Sequence, residues 1–184
     1  MGERFAGSEE VAGSIPVSST TFLFNTSICY SYFMEDAEKS LFIMIDILNK
    51  NQIEFSIGGT GLLYFLGLYD KVGDWDILTN AKCSQIEKCL EGLKYTKVSV
   101  KHPFYSNFLY QVDLNGFEFD VMGDFKYEIE GDLVSMTSSP YMWKGKVPLA
   151  DPAEWQSFYE RINRELKKDS KKSELLLEYL NNNS

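Results

Sequence analysis

Basic residues are scarce in this chain: 18 Lys and Arg stand against 27 Asp and Glu, a formal charge of -9. That deficit argues against general nucleic-acid binding, which rests on neutralising phosphates with Lys and Arg. A local phosphate site stays open, because a bound cation reverses the sign of the field around acidic groups. Histidine is scarcer still. His102 stands alone, so any histidine-based catalytic triad would have to be built on it, and beside Pro103 it reads instead as a loop or strand-edge residue. The cysteines Cys29, Cys83 and Cys89 make neither a zinc pattern nor a disulfide framework, which suits a reducing cytoplasm. No apolar run reaches the roughly 18 residues that span a bilayer. The nearest, 22–33, is broken by Asn25, Thr26, Ser27 and Ser31, and no basic stretch leads it as a signal peptide requires.

What is present is an ordinary globular composition, 44% hydrophobic and 24% charged, in 184 residues. That length suits one domain with a core able to fold unaided. Residues 1–33 stand apart, rich in Gly and Ser and without helix or strand period. Residues 11–17 can be encoded by codons containing the stem and loop of a transfer-RNA T arm, and 22–33 by AT-rich spacer. Two readings follow: upstream sequence translated in frame, with Met34 the natural start, or a disordered tail. Either way the expected domain is 34–184.

From Met34 the pattern is regular. Leu41, Ile43, Met44, Ile47 and Leu48 predict an amphipathic helix over 35–51. A strand over 53–57 ends at Gly58-Gly59, and a second apolar helix runs through Leu62, Leu63, Phe65, Leu66 and Leu68. A short strand over 75–78 precedes a helix carrying Ile86, Cys89, Leu90 and Leu93. Residues 95–100, 107–114 and 117–122 read as strands, the last two joined by the hairpin turn Asn115-Gly116. Residues 147–149 add an edge strand. Asp151 and Pro152 open a C-terminal helical segment as N-cap and first helical residue, with Leu175, Leu176, Leu177 and Leu180 as its packing stripe. The fold class is α+β, a small mixed sheet flanked by helices.

Three features carry chemistry. At a strand-to-helix turn such as Gly58-Gly59, backbone N–H groups and the helix N-terminus can cradle phosphate where side chains would obstruct it, and Thr60 adds a hydroxyl. Paired glycines also simply make turns. In Asp74-Trp75-Asp76, strand alternation puts both carboxylates on one face and Trp75 with Ile77 on the other. A divalent cation is the natural partner for two such acids, although the motif alone also arises by chance. Asp120 sits mid-strand with Phe117, Phe119 and Val121 on the opposite face. A solvated hairpin edge is the plainer reading, and Glu118 and Asp113 are its rivals. The lysines 167, 168, 171 and 172 suit a solvated helix end or a triphosphate contact. Tyr141, Trp143 and Trp155 suit core or the wall of an acceptor pocket.

Jointly, strand, Gly-Gly, helix, D-x-D strand and a later strand bearing one Asp resemble the polymerase-β-like nucleotidyltransferase superfamily. Over about 35–179 the chain looks most like its small bacterial members, the AbiEii-type toxins and the lincosamide and aminoglycoside adenylyltransferases. The resemblance takes in Ile57-Gly58-Gly59, Asp74 to Leu78, Phe119-Asp120-Val121, Val147 to Trp155 and Lys167-Lys168-Asp169. Where such members carry Arg and Thr before the D-x-D, this chain has Lys71-Val72-Gly73. The resemblance implies a cytoplasmic nucleotidyltransferase with ATP or another NTP as co-substrate. Asp74, Asp76 and Asp120 would be both catalytic and ligands of two Mg²⁺ ions, and Gly58, Gly59, Thr60 and Lys168 would bind the nucleotide. The acceptor would be a hydroxyl of a small molecule, such as an antibiotic, or of a partner protein. The alternative is a catalytically inactive nucleotide-binding or toxin–antitoxin partner of the same fold.

Overall fold

The structure, a computed structural model, describes residues 20–166 and 170–183. The chain divides into two units, Met1–Phe33 and Met34–Ser184. The codon reading of residues 11–17 lies outside the described residues. Helix α1 (Thr20–Lys50) begins before the start at residue 35 that periodicity predicts. From Met34 onward its buried side is Met34, Ala37, Leu41, Met44, Ile45 and Leu48, spaced by threes and fours as one stripe. Ile43, expected on that stripe, is 44% exposed. Its position one residue before Met44 turns it about 100° away, and Ile45 fills the core instead.

The remaining elements follow in order: β1 (Phe55–Ile57), α2 (Gly59–Phe65), β2 (Asp74–Thr79), α3 (Cys83–Cys89), β3 (Lys94–Val98), β4 (Phe104–Tyr105), β5 (Phe108–Leu114), β6 (Phe117–Gly123), β7 (Lys126–Ile129), β8 (Asp132–Ser135), β9 (Met142–Lys144), β10 (Val147–Leu149), α4 (Pro152–Leu166) and α5 (Ser170–Asn182). The main sheet has the order β3-β5-β6-β2-β1-β10-β9, and β4-β7-β8 form a smaller one. Within the main sheet β2 pairs with β6, and β1 with β10, in parallel; the other pairs are antiparallel. The α+β class with a mixed sheet and a helical C-terminal segment is thus present.

Asn115 and Gly116 both have positive φ, 57° and 83°, as the tight β5–β6 hairpin turn requires. Asp151 accepts a 2.8 Å hydrogen bond from the Ala153 N–H at the start of α4, which makes it the expected N-cap. Two expectations are corrected. Strand β10 is not an edge, because β9 covers it; a turn through Gly145, at φ 60°, folds that extra strand back. On α5, which packs against α4, Leu176 is buried but Leu177 is 48% exposed, since four near-consecutive leucines cannot share one helical face. No described helix is long and apolar enough to cross a membrane.

Candidate active site

Strand β2 alternates as expected: Trp75 and Ile77 are buried, and Asp74 and Asp76 are part-exposed on the other face. Trp75 is held by α2, stacked on Phe65 at a centroid distance of 6.0 Å and edge-on to Tyr64 at 6.4 Å. On β6, Phe119 and Val121 are fully buried, which leaves Asp120 on the opposite face. The parallel register of β2 and β6 then sets Asp76 beside Asp120 and Asp74 beside Glu118. Asp74, Asp76 and Asp120 line one cavity of about 290 Å³. The rivals do not reach it. Asp113 pairs with Lys94 at 2.8 Å and caps the hairpin through Gly116 N–H, while exposed Glu118 accepts from Gln111 at 3.1 Å.

The carboxylates feel burial and one another. Asp76 is raised to about 8, first by burial, then by the charges of Asp74 and Asp120, with Lys172 opposing. Asp120 is raised to about 6 by burial, partly offset by Gln111, with Asp74 and Glu118 adding repulsion. Asp120 Oδ1 is buried without a hydrogen-bond partner among the described residues.

An all-oxygen, all-carboxylate donor set suits a hard divalent cation. The orphaned oxygen and the raised affinities for protons are what uncompensated negative charge produces. Among the described residues, no three His, Cys, Asp or Glu side chains already form a ligand cluster. Like charges without a cation between them keep apart. The donor chemistry of Asp74, Asp76 and Asp120 suits such a cation, but their spacing is not that of a ligand cluster.

The glycine turn departs from the phosphate-cradle expectation. Gly58 N–H is already used, donating to the Asp76 carbonyl at 2.9 Å. A Cβ on Gly58 would lie 2.1 Å from Trp155 Cζ2, and one on Gly59 would lie 1.7 Å from Asp76 Oδ2. Gly59 also has φ +55°, a left-handed conformation that disfavours any side chain. The crowding that demands glycine thus comes from Trp155 and Asp76 inside the protein. No side chain caps the start of α2, and the Thr60 hydroxyl contacts the Asp74 carbonyl at 3.5 Å.

Lys168 lies outside the described residues. Its neighbour in sequence, Lys172, lines the cavity with its Nζ 5.1 Å from the centre of the Tyr159 ring. Trp155 is buried and lines the cavity too, whereas Tyr141 and Trp143, at 62% and 58% exposed, are not core and do not line it. Both belong to the stretch at the covering edge strand β9, where outward side chains meet solvent. Exposed His102 lies outside the cavity. Sequence reasoning missed Phe104, Phe125, Phe158 and Tyr159, which wall the site. For Phe158 and Tyr159 a signal existed: they follow Trp155 at helical spacings of three and four.

No protein-family model and no curated protein matches the chain. Among solved structures, a crystal structure from Thermotoga maritima, described provisionally as a nucleotidyltransferase, is similar at a TM-score of 0.61 and 18% identity. The match covers 80% of this chain and 94% of that one. The likeness is one of fold, at the level of the nucleotidyltransferase-like architecture and not of any one branch of it.

Proposed function

On this nucleotidyltransferase-like fold, we propose that the chain transfers a nucleoside monophosphate from an NTP to a hydroxyl group, with divalent metal. One observation carries the reading: Asp76 stands beside Asp120 across two parallel strands, Asp74 shares their face, and all three line one cavity. Asp74, Asp76 and Asp120 are the residues that would hold Mg²⁺. When bound, Mg²⁺ offsets phosphate charge and makes an acceptor hydroxyl more acidic.

The rest is the work of the chain's own groups. Asp120, which lines the cavity, accepts the proton of the acceptor hydroxyl. The acceptor oxygen forms a bond to the α-phosphorus while the bond to the β-phosphate bridge breaks, and pyrophosphate leaves. Lys172 places positive charge on the cavity wall, next to where Lys168 was expected to act. With Gly58 N–H engaged, the Gly59 and Thr60 end of α2 is left to meet phosphate oxygens. Trp155 and Phe158 exclude water.

Titration of the full chain with a non-hydrolysable NTP analogue, with and without Mg²⁺, and measurement of pyrophosphate release test the reading. Asp76→Asn and Asp120→Asn should each abolish both while the far-ultraviolet circular dichroism stays unchanged. Full metal-dependent turnover in both variants would overturn the assignment. Lys71-Val72-Gly73, standing where similar proteins carry Arg and Thr before the D-x-D, favours a second reading, a nucleotide-binding partner without turnover. Its signature is metal-dependent analogue binding without pyrophosphate release against any hydroxyl acceptor.

A further inference from the structure

The charge on the cavity wall is one-sided. Asp74, Asp76 and Asp120 line it, and among the described lining residues the one cationic side chain is that of Lys172. Lys172 stands in the first turn of α5, which holds no acidic residue. The dipole is positive at that end of a helix, so a cation is unfavourable there. A lysine side chain is also long and flexible, and ordering it costs rotamer freedom. A partner that holds the ammonium on the wall offsets both costs.

One such partner is a ring. Lys172 Nζ lies 5.1 Å from the centre of the Tyr159 ring, within the range at which an aromatic face attracts a cation. Tyr159 is itself held in place. It is buried on α4, and its ring packs on Trp155 at 5.6 Å and on Phe158 at 5.4 Å. All three rings line the carboxylate cavity. The preceding lysine behaves differently. Lys171 Nζ lies 6.0 Å from the ring of Tyr69, in the loop between α2 and β2, and Lys171 does not line the cavity. Of two adjacent lysines, α4 thus meets the one on the carboxylate side.

We propose that Tyr159 is a positioning residue: its ring holds the Lys172 ammonium where it meets the β- and γ-phosphates of the NTP, an assignment that rests on the nucleotidyl-transfer reading above. On that reading Asp74, Asp76 and Asp120 face the reacting α-phosphate. The β- and γ-phosphates gain negative charge as the bridging bond breaks and pyrophosphate leaves, and a fixed cation beside them stabilises that change. The glycine turn does not supply one, because backbone N–H groups carry no net charge and that of Gly58 is engaged. Lys172 brings the charge, and Tyr159 fixes its place.

The test measures the affinity of the full chain, with Mg²⁺, for the α,β-methylene analogues of ATP, GTP, CTP and UTP. The tightest of these is then compared with the matching nucleoside monophosphate. Lys172→Met should weaken the triphosphate analogue at least tenfold and the monophosphate less than twofold, and Lys171→Met should change either less than twofold. Tyr159→Phe, which keeps the ring, should stay within twofold of the unaltered chain. The ringless Tyr159→Met should weaken the analogue at least threefold, yet have no further effect in a Lys172→Met background. A purely structural role for Tyr159 would persist there, so equal losses with and without Lys172 overturn the proposal. Equal losses of triphosphate and monophosphate affinity in Lys172→Met overturn it as well. Circular dichroism checks each fold; Tyr159→Leu replaces Tyr159→Met if the latter does not fold, and loss of the fold in both would mark a structural ring and overturn the positioning role. A chain that binds none of the analogues at any Mg²⁺ concentration sinks the transfer reading itself, and the phosphate contact of Lys172 with it, a failure distinct from the others.

Discussion

Gly59→Ala separates two reasons for one glycine. The first is torsional: at φ +55° an alanine in left-handed geometry costs about 1–2 kcal/mol whatever surrounds it. The second is steric. The new Cβ would fall 1.7 Å from Asp76 Oδ2, 2.7 Å from its Cγ and 3.2 Å from its Cβ. Rotation about the Asp76 Cα–Cβ bond would carry Oδ2 and Cγ clear, but only by taking the carboxylate out of its position on the cavity. Such overpacking costs about 1–3 kcal/mol. The single variant should therefore lose about 2–5 kcal/mol of unfolding free energy, more than a turn glycine would. In an Asp76→Ala background only the Cβ contact at 3.2 Å remains, so the same substitution should cost little more than the torsional part, about 1–2 kcal/mol. Urea denaturation of the four proteins in the cycle measures the difference directly. A coupling of at least 1 kcal/mol is expected; additivity to within about 0.5 kcal/mol would refute the contact between Gly59 and Asp76. Mg²⁺ affinity should fall in the Gly59→Ala single variant, because the displaced group is the carboxylate assigned to the cation.

Three further outcomes follow from the same geometry. Asp76, at about 8 instead of 3.8, keeps a proton in the folded state that the unfolded chain loses from about pH 4, so its contribution is fully present below pH 4 and disappears as pH rises through 8. Metal-free stability should fall over that window by up to ~1.4 kcal/mol per pH unit, and Asp76→Asn should flatten the slope; an unchanged slope in the variant rejects Asp76 as its source. Gly58→Ala, whose Cβ would lie 2.1 Å from Trp155 Cζ2, should cost about 1–3 kcal/mol and move tryptophan emission to the red, and no change in either measure would count against the Gly58–Trp155 packing. Residues 34–184 expressed alone should melt with the full chain, whereas a fall of ~2–4 °C, about 1 kcal/mol at this size, would show that the preceding segment contributes to the fold.

Local chemistry was legible and long-range placement was not. That Asp74 and Asp76 share a face, and that Asp120 opposes Phe119 and Val121, follows from strand alternation. That Asp76 and Asp120 are neighbours does not follow, because it needs β2 and β6 to pair in parallel across the intervening α3, β3, β4 and β5. The need for glycine at 58 and 59 was readable, but its cause was not. Trp155 approaches Gly58 from α4, at the far end of the chain. Lys172 reaches the cavity only because α5 packs against α4, a contact no periodicity announces. The strands β7 and β8 had a faint signal, since Tyr127 and Ile129 alternate with polar residues ahead of Glu130-Gly131, both at positive φ. Four-residue strands give too few periods for that pattern to stand out from loop.

The two antiparallel strands β5 and β6 contain both a structural carboxylate and its opposite. Asp113 is exposed, paired with Lys94, bonded to the turn, and held below the usual carboxylate range by those contacts. It needs nothing further. Asp120 is held above that range by burial, keeps an oxygen without a donor, and faces a second acid whose proton is held more tightly still. A solvated hairpin edge, the plainest reading of Asp120, would look like Asp113. Buried charges are costly unless paired, so Asp76 and Asp120, once ionised, weaken the ligand-free fold. On the proposed reading a bound cation would reverse that balance: each carboxylate that lost its proton to bind metal would exchange repulsion for attraction. By linkage such a bound state would be stabilised by RT ln(1 + [L]/Kd), and the carboxylates that weaken the empty fold would then make the loaded one more stable.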